Sequence, residues 1–179
     1  NPRSTVGTLS EVYDYLKLLY SNIGKTISPV SGKEVKKDTP LDVFRFLNKQ
    51  KEGTKYYISF IKKIEEKNYK RDLEILLSKG FTRVILDKEF YTIESLLGKP
   101  KKINQINVVI DRGITSRNDE DFKFKIIDVC REAFFEGSGY ININILDKNY
   151  SFSDLFELDG IKFIEPSVNL FSSNNPYGA

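Results

Sequence analysis

The side chains best equipped for chemistry are scarce in this chain, and their spacing argues against catalysis. There is no histidine, so the usual general base at neutral pH is missing. With a single cysteine, Cys130, a zinc site of the common nitrogen–sulfur type cannot be assembled within the chain. The adjacent carboxylates Glu65 and Glu66 sit among lysines and read as solvated surface. Asp119-Glu120-Asp121 stands where a helix should begin, and acidic groups there favour the helix dipole. Gly137-Ser138-Gly139 follows a predicted helix, the wrong polarity for seating a phosphate at a helix N-terminus. No G-x-x-x-x-G-K-[ST] loop occurs. The expectation is a chain with no catalytic residues and no metal site.

Two arginines remain. In "FTRVILD" side chains alternate, so Phe81, Arg83 and Ile85 are expected on one face of a strand. In "INVVIDR" the same rule groups Ile106, Val108, Ile110 and Arg112. An arginine on an apolar strip has the composition of an interface hot spot, because its planar fork takes a carboxylate bidentately once water is excluded. The alternative is an internal ion pair, with Asp87 or Asp111 as partner, worth about 0–1 kcal/mol if exposed. Lys88, Lys102 and Arg117 read either as rim charges that speed encounter with an acidic surface or as ordinary solubilising residues.

The elements that must position these residues follow from periodicity and caps. Thr8-Leu9-Ser10-Glu11 fits a capping box, and Val12, Leu16, Leu19 and Ile23 recur at helical spacing, predicting an amphipathic helix over 9–22 with Gly24 as a left-handed stop. "SPVSGKEVKKDTP" is a loop or short hairpin. Thr39-Pro40 starts a second helix with Val43, Phe44 and Leu47 on its apolar face. "KYYISFI" (55–61) is a strand. A helix with Tyr69, Leu73, Leu76 and Leu77 follows, closed by Gly80, then two strands, "FTRVILD" and "EFYTI", with a tight turn at Asp87-Lys88. "INQINVVIDR" is a strong strand, and Phe122, Ile126, Val129, Cys130 and Ala133 mark a helix in which Cys130 packs as a small hydrophobe. "YININIL" alternates as a strand, and "YSFSDLF" adds a short one. The expected fold class is α/β (α+β), with a mixed sheet packed by helices, preceded by an amphipathic helix and followed by an irregular return segment.

Composition fits such a domain. The 179 residues suffice for one core, and 40% hydrophobic with 30% charged residues is neither disordered nor membrane-spanning. No apolar run approaches the roughly 20 residues of a membrane helix. A lone cysteine and no export signal predict the cytoplasm. The 28 Lys and Arg against 25 Asp and Glu permit nucleic-acid contact without demanding it.

The opening "NPRSTVGTLSEVYDYLKLLYSNIG" resembles a segment of the UvrA family, a component of the ABC excinuclease of bacterial nucleotide excision repair, that leads into its first signature domain. The closing "LFSSNNPYGA" resembles that family's return segment, LFSFN-x-P-x-GA, with a serine where the family prefers phenylalanine. Between them, "LLSKGFTRVILDKEFYTIESL" and "KKINQINVVIDR" match G-[YF]-x-R-V-x-[IL]-D and KK-x(2–4)-I-x-V-V-x-D-R. The resemblance implies a piece of a larger protein: residues 1–38 from the signature domain, 39–150 a UvrB-binding α/β domain, and 151–179 the return segment. It places the phosphate-binding loop upstream and the ABC signature and Walker B strand downstream, so the ATP site lies outside the piece and no cofactor is expected in it. It implies UvrB as partner, with Arg83 and Arg112 at the partner-contacting positions beside Phe81, Ile110, Lys88 and Lys102. The resemblance also implies that DNA is contacted through the parent protein, dimeric through its ATPase domains, and that no membrane is involved. Many members carry C-P-x-C-G twice as halves of a zinc site. Here those positions read Ser28-Pro29-Val30-Ser31-Gly32 and Phe156-Glu157-Leu158-Asp159-Gly160, which cannot bind zinc as thiolates, so local packing must hold the return segment. The competing reading is direct DNA binding through Arg3, Lys25, Lys33, Lys36 and Lys37, with affinity falling steeply with salt.

Overall fold

The computed structural model describes residues 11–87, 89–98 and 103–171. The chain divides into two compact units, one of Asp38–Leu155 and one combining Asn1–Lys37 with Phe156–Ala179.

The larger unit begins with α2 (Pro40–Asn48), in the place periodicity gave it. Thr39 Oγ1 accepts from Asp42 N–H and an Asp42 carboxylate oxygen accepts from Thr39 N–H, a capping box closed by aspartate, with Pro40 at the first helical position. Then come β1 (Lys55–Lys63), a 3-10 turn at Glu66–Asn68, α3 (Tyr69–Ser78), β2 (Arg83–Leu86), β3 (Glu89–Thr92) and α4 (Ile93–Gly98). The unit closes with β4 (Gln105–Ile114), α5 (Glu120–Glu136), β5 (Tyr140–Ile145) and β6 (Lys148–Ser153). Asp119 caps α5, its Oδ1 accepting from the N–H groups of Asp121 and Phe122.

The strand order is β3-β2-β4-β1-β5-β6. The α+β class is as expected, but all five ladders are antiparallel, so the sheet is not mixed. Hairpins and returning connections, rather than right-handed β-α-β crossovers, join its neighbours. Residues 151–153, which the motif reading gave to the return segment, pair with β5 inside this unit. Tyr56, Ile58, Phe60, Val84, Val108, Ile141 and Ile143 form one apolar sheet face. Helices α2 and α5 cover one half of it and α3 and α4 the other. Cys130 is buried on α5 in the first of these clusters. Gly139, at φ +91, shapes the turn from α5 into β5, where a Cβ would strike Leu155 and Asp154.

A bulge breaks the alternation expected in β4. Ile58 pairs with Asp111 and Ser59 with Val109, leaving Ile110 without a partner on β1. Ile106 and Val108 therefore share the helix-covered face with Asp111, while Arg112, opposite Tyr57, points to the other face. The expected grouping of Ile106, Val108, Ile110 and Arg112 on one face is thus incorrect.

The smaller unit contains α1 (Val12–Ile23), an antiparallel bridge between Ile27 and Glu34, and a hairpin of β7 (Glu157–Leu158) and β8 (Ile161–Lys162). Helix α1 starts later than predicted, behind Glu11, whose side chain makes no cap bond. Thr8 and Ser10 of the expected capping box lie outside the described residues. Gly24 is extended (φ −61, ψ 139) rather than left-handed, and its N–H donates to Tyr20 O at 2.9 Å. None of the residues of α1 is buried.

Candidate functional site

Arg83 opens β2 opposite Val109, and β2 pairs with β4 only from there to Ile85–Asn107. Past Val109 the β2-side edge of β4 has no strand beside it among the described residues. A cleft of about 320 Å³ opens in that gap, bordered by Phe81, Thr82, Arg83, Ile110, Asp111 and Arg112. Because Arg83 shares the face of Val109, and the bulge turns Arg112 to that same face, both side chains stand on the side of the sheet opposite the one that α2, α3, α4 and α5 cover. Both residues are exposed, and among the described residues neither forms an ion pair.

Asp111 is engaged elsewhere. On the helix-covered face its carboxylate takes Lys125 Nζ at 2.9 Å and the Tyr56 hydroxyl at 2.8 Å, and its side chain is 14% exposed. Burial, and then this hydrogen bond to the carboxylate, push the Tyr56 phenol far above its ordinary value. Burial, with Asp111 adding, pushes the Cys130 thiol up to about 12. The internal Asp111–Arg112 pair is therefore not formed.

Arg112 also borders a second hollow, of about 560 Å³, with Tyr57, Phe90, Asn144 and Leu146. Tyr57 and Phe90 meet edge to face with centroids 5.5 Å apart, and Phe90 is 53% exposed. Leu146 and Asp147, both at positive φ, form the two-residue turn of the β5–β6 hairpin and leave Leu146 exposed. Alongside runs a polar groove of about 520 Å³, with Ser59, Asn107, Asn142 and Asn149 among its walls. An arginine between exposed aromatic and aliphatic side chains has the make-up of an interface core. Tyr57 and Phe90 were missed by sequence reasoning; the alternation of "EFYTI" opposite β2 was the available signal.

Other expected site residues fare differently. Phe81 borders the cleft but is only 5% exposed and packs edge to face on Phe60 at 5.4 Å, within the core. It precedes β2, and its ring fills the floor under the sheet instead of continuing the face of Arg83. Ile110, the bulged residue, is half-buried against both core clusters. Lys88 and Lys102 lie outside the described residues. Arg117 is held by its own chain, its N–H donating to Glu52 and its Nε to Asn48 O. Of the cations offered for DNA, Lys25 and Lys36 rest on Glu34 and Lys37 on Glu165, Lys33 is exposed, and Arg3 is outside the described residues. Among the described residues no group of three or more His, Cys, Asp or Glu could hold a metal ion, and no helix is long and apolar enough to cross a membrane.

A family model described as the UvrA interaction domain matches residues 39–147, almost the whole sheet unit. The chain is 33% identical over its full length to UvrABC system protein A of Agrobacterium fabrum, covering 21% of that protein. It is 31% identical to the Rickettsia bellii protein of that name and 32% to the Methanothermobacter thermautotrophicus one, again along its whole length and covering 20% and 19% of them. The chain belongs to the UvrA family. It spans about a fifth of the length of these UvrA relatives, and the cleft with Arg83 and Arg112 lies inside the segment matched by the UvrA interaction domain.

Proposed function

We propose that the sheet unit is a non-catalytic docking module through which a UvrA protein binds UvrB and recruits it to damaged DNA in nucleotide excision repair, in the cytoplasm. The observation that carries this reading is the pair of exposed arginines, Arg83 and Arg112, turned to the sheet face opposite the one that α2, α3, α4 and α5 cover and without an ion-pair partner among the described residues. Each presents a fork that can take a carboxylate of the partner bidentately. Tyr57, Phe90 and Leu146 supply the apolar surroundings that exclude water from such a contact. A standard interface buries about 800 Å² on each partner, an area that extends beyond the cleft across the uncovered sheet. ATP hydrolysis, DNA contact and dimerisation fall to parts of the parent protein that this chain does not span.

The test is the double reversal Arg83→Glu with Arg112→Glu, read by pull-down of UvrB. Loss of capture with an unchanged circular dichroism spectrum is expected. Retained capture removes both residues from the docking site.

A further inference from the structure

Two hairpin knuckles of the smaller unit meet through their side chains. In the first, Ser28 N–H donates to Lys33 O and Gly32 N–H to Ser28 O, both at 2.9 Å, and Gly32 takes φ +67. In the second, β7 and β8 are joined by Asp159 and Gly160, at φ 54 and 77, the two left-handed positions of a tight hairpin turn. One oxygen of the Asp159 carboxylate, Oδ2, accepts from the Ser28 and the Ser31 hydroxyls, each at 2.5 Å. Ser28 is fully buried, and its Oγ also accepts from Val30 N–H at 3.3 Å. Residues about 130 positions apart are thereby joined at one carboxylate.

Ser28, Ser31, Phe156 and Asp159 stand at the four positions where the C-P-x-C-G motifs carry cysteine. They do not fit zinc. A closed zinc site takes four Cys, His or carboxylate donors, and here there are two neutral hydroxyls, one carboxylate and a phenyl ring with no donor atom. We infer that the Asp159 carboxylate with the Ser28 and Ser31 hydroxyls is a metal-independent clasp that replaces the zinc clip and locks the two knuckles together. Two charge-assisted hydrogen bonds converge on one atom, each about twice as strong as a neutral bond. Without its acceptor the buried Ser28 hydroxyl is left with an unmet donor, so opening the clasp is penalised. The two hydroxyls, that of Ser28 foremost, hold the Asp159 carboxyl below the usual carboxylate range, which keeps it an ionised acceptor at neutral pH. The Lys37–Glu165 ion pair at 2.5 Å and the Tyr13 hydroxyl on Phe171 O at 2.9 Å tie the same two segments further along. The clasp is independent of the docking reading.

The test is amide hydrogen exchange on the whole chain, with zinc content measured in parallel. The wild-type chain is expected to carry no stoichiometric zinc and to keep its exchange pattern in the presence of a strong chelator. Asp159→Ala, and separately Ser28→Ala with Ser31→Ala, should speed exchange at the Gly32, Val35 and Phe163 amides at least tenfold while the sheet unit is unchanged. The quadruple variant Ser28→Cys, Ser31→Cys, Phe156→Cys and Asp159→Cys should take up one Zn²⁺ per chain and restore protection at those amides. One equivalent of zinc in the wild-type chain, a chelator-sensitive pattern, or unaltered exchange in both alanine variants overturns the clasp. A quadruple variant that keeps the sheet unit but takes no zinc overturns the equivalence of the four positions.

Discussion

Truncating Arg112 separates a docking residue from a structural one. Its side chain is exposed and has no ion-pair partner among the described residues, so Arg112→Ala should leave unfolding free energy within about 0.5 kcal/mol of wild type. If the guanidinium meets a carboxylate in a dehydrated interface, the same truncation costs about 2–5 kcal/mol of binding, roughly 30-fold to several thousand-fold in Kd. At an exposed rim it costs about 1 kcal/mol or less, near fivefold. The proposed docking role predicts the larger range, with Arg112 standing between the β2–β4 cleft and the Tyr57–Phe90 hollow. Arg83 borders the same cleft, so a double-mutant cycle with Arg83→Ala should show coupling of about 0.5–3 kcal/mol if both grip one acidic element. Calorimetric titration of UvrB into each variant, with a thermal melt alongside, measures both quantities. A Kd within twofold of wild type, or a melt lowered by several degrees, refutes the reasoning.

Phe81 and Phe90 should divide the same way: Phe81→Ala is expected to cost about 3–5 kcal/mol of stability, and Phe90→Ala to weaken UvrB binding at least tenfold with little change in the melt, read by denaturant titration and calorimetry. Cys130, buried and with its thiol pushed up to about 12, should react with a thiol reagent only as fast as the chain unfolds; fast labelling of native protein contradicts that burial. The Thr39 hydroxyl holds the Asp42 carboxyl below its ordinary value, so the capping box contributes stability above about pH 4 and loses it as pH falls through the depressed value. The melting difference between wild type and Asp42→Ala should therefore shrink in acid.

The parts of the fold legible in the sequence were those with a strong local signal. Thr39-Pro40 marked the start of α2, the apolar stripe through Phe122, Ile126 and Cys130 marked α5, and strict alternation marked β5. Helix α4 is six residues long, too short for a 3.6-residue period to emerge. The β7–β8 hairpin has strands of two residues, although its Asp159-Gly160 turn is a pair that strongly favours hairpins. Both arginines were legible as candidates, but their common face was not. It depends on one unpaired residue, Ile110, and nothing in "INVVIDR" distinguishes a bulged strand from a regular one. Phe81 was misplaced for a related reason, since alternation was extended two residues before β2 begins.

The bulge also resolves an electrostatic conflict built into the chain. Asp111 and Arg112 are consecutive and of opposite charge, and an arginine neutralised by its own neighbour would have little attraction left for a partner. Regular alternation from Val108 would turn Arg112 toward the helices and Asp111 toward the open face, burying a guanidinium against the apolar layer and exposing a carboxylate beside Arg83. Inserting Ile110 exchanges the two. Asp111 goes under α5, where Lys125 and the Tyr56 hydroxyl satisfy it, and Arg112 goes to the side of Arg83. Asp111 still borders the cleft, but its carboxylate is engaged by Lys125 and the Tyr56 hydroxyl, which leaves the two arginines as the cations without an ion pair among the described residues there, an arrangement suited to an acidic surface.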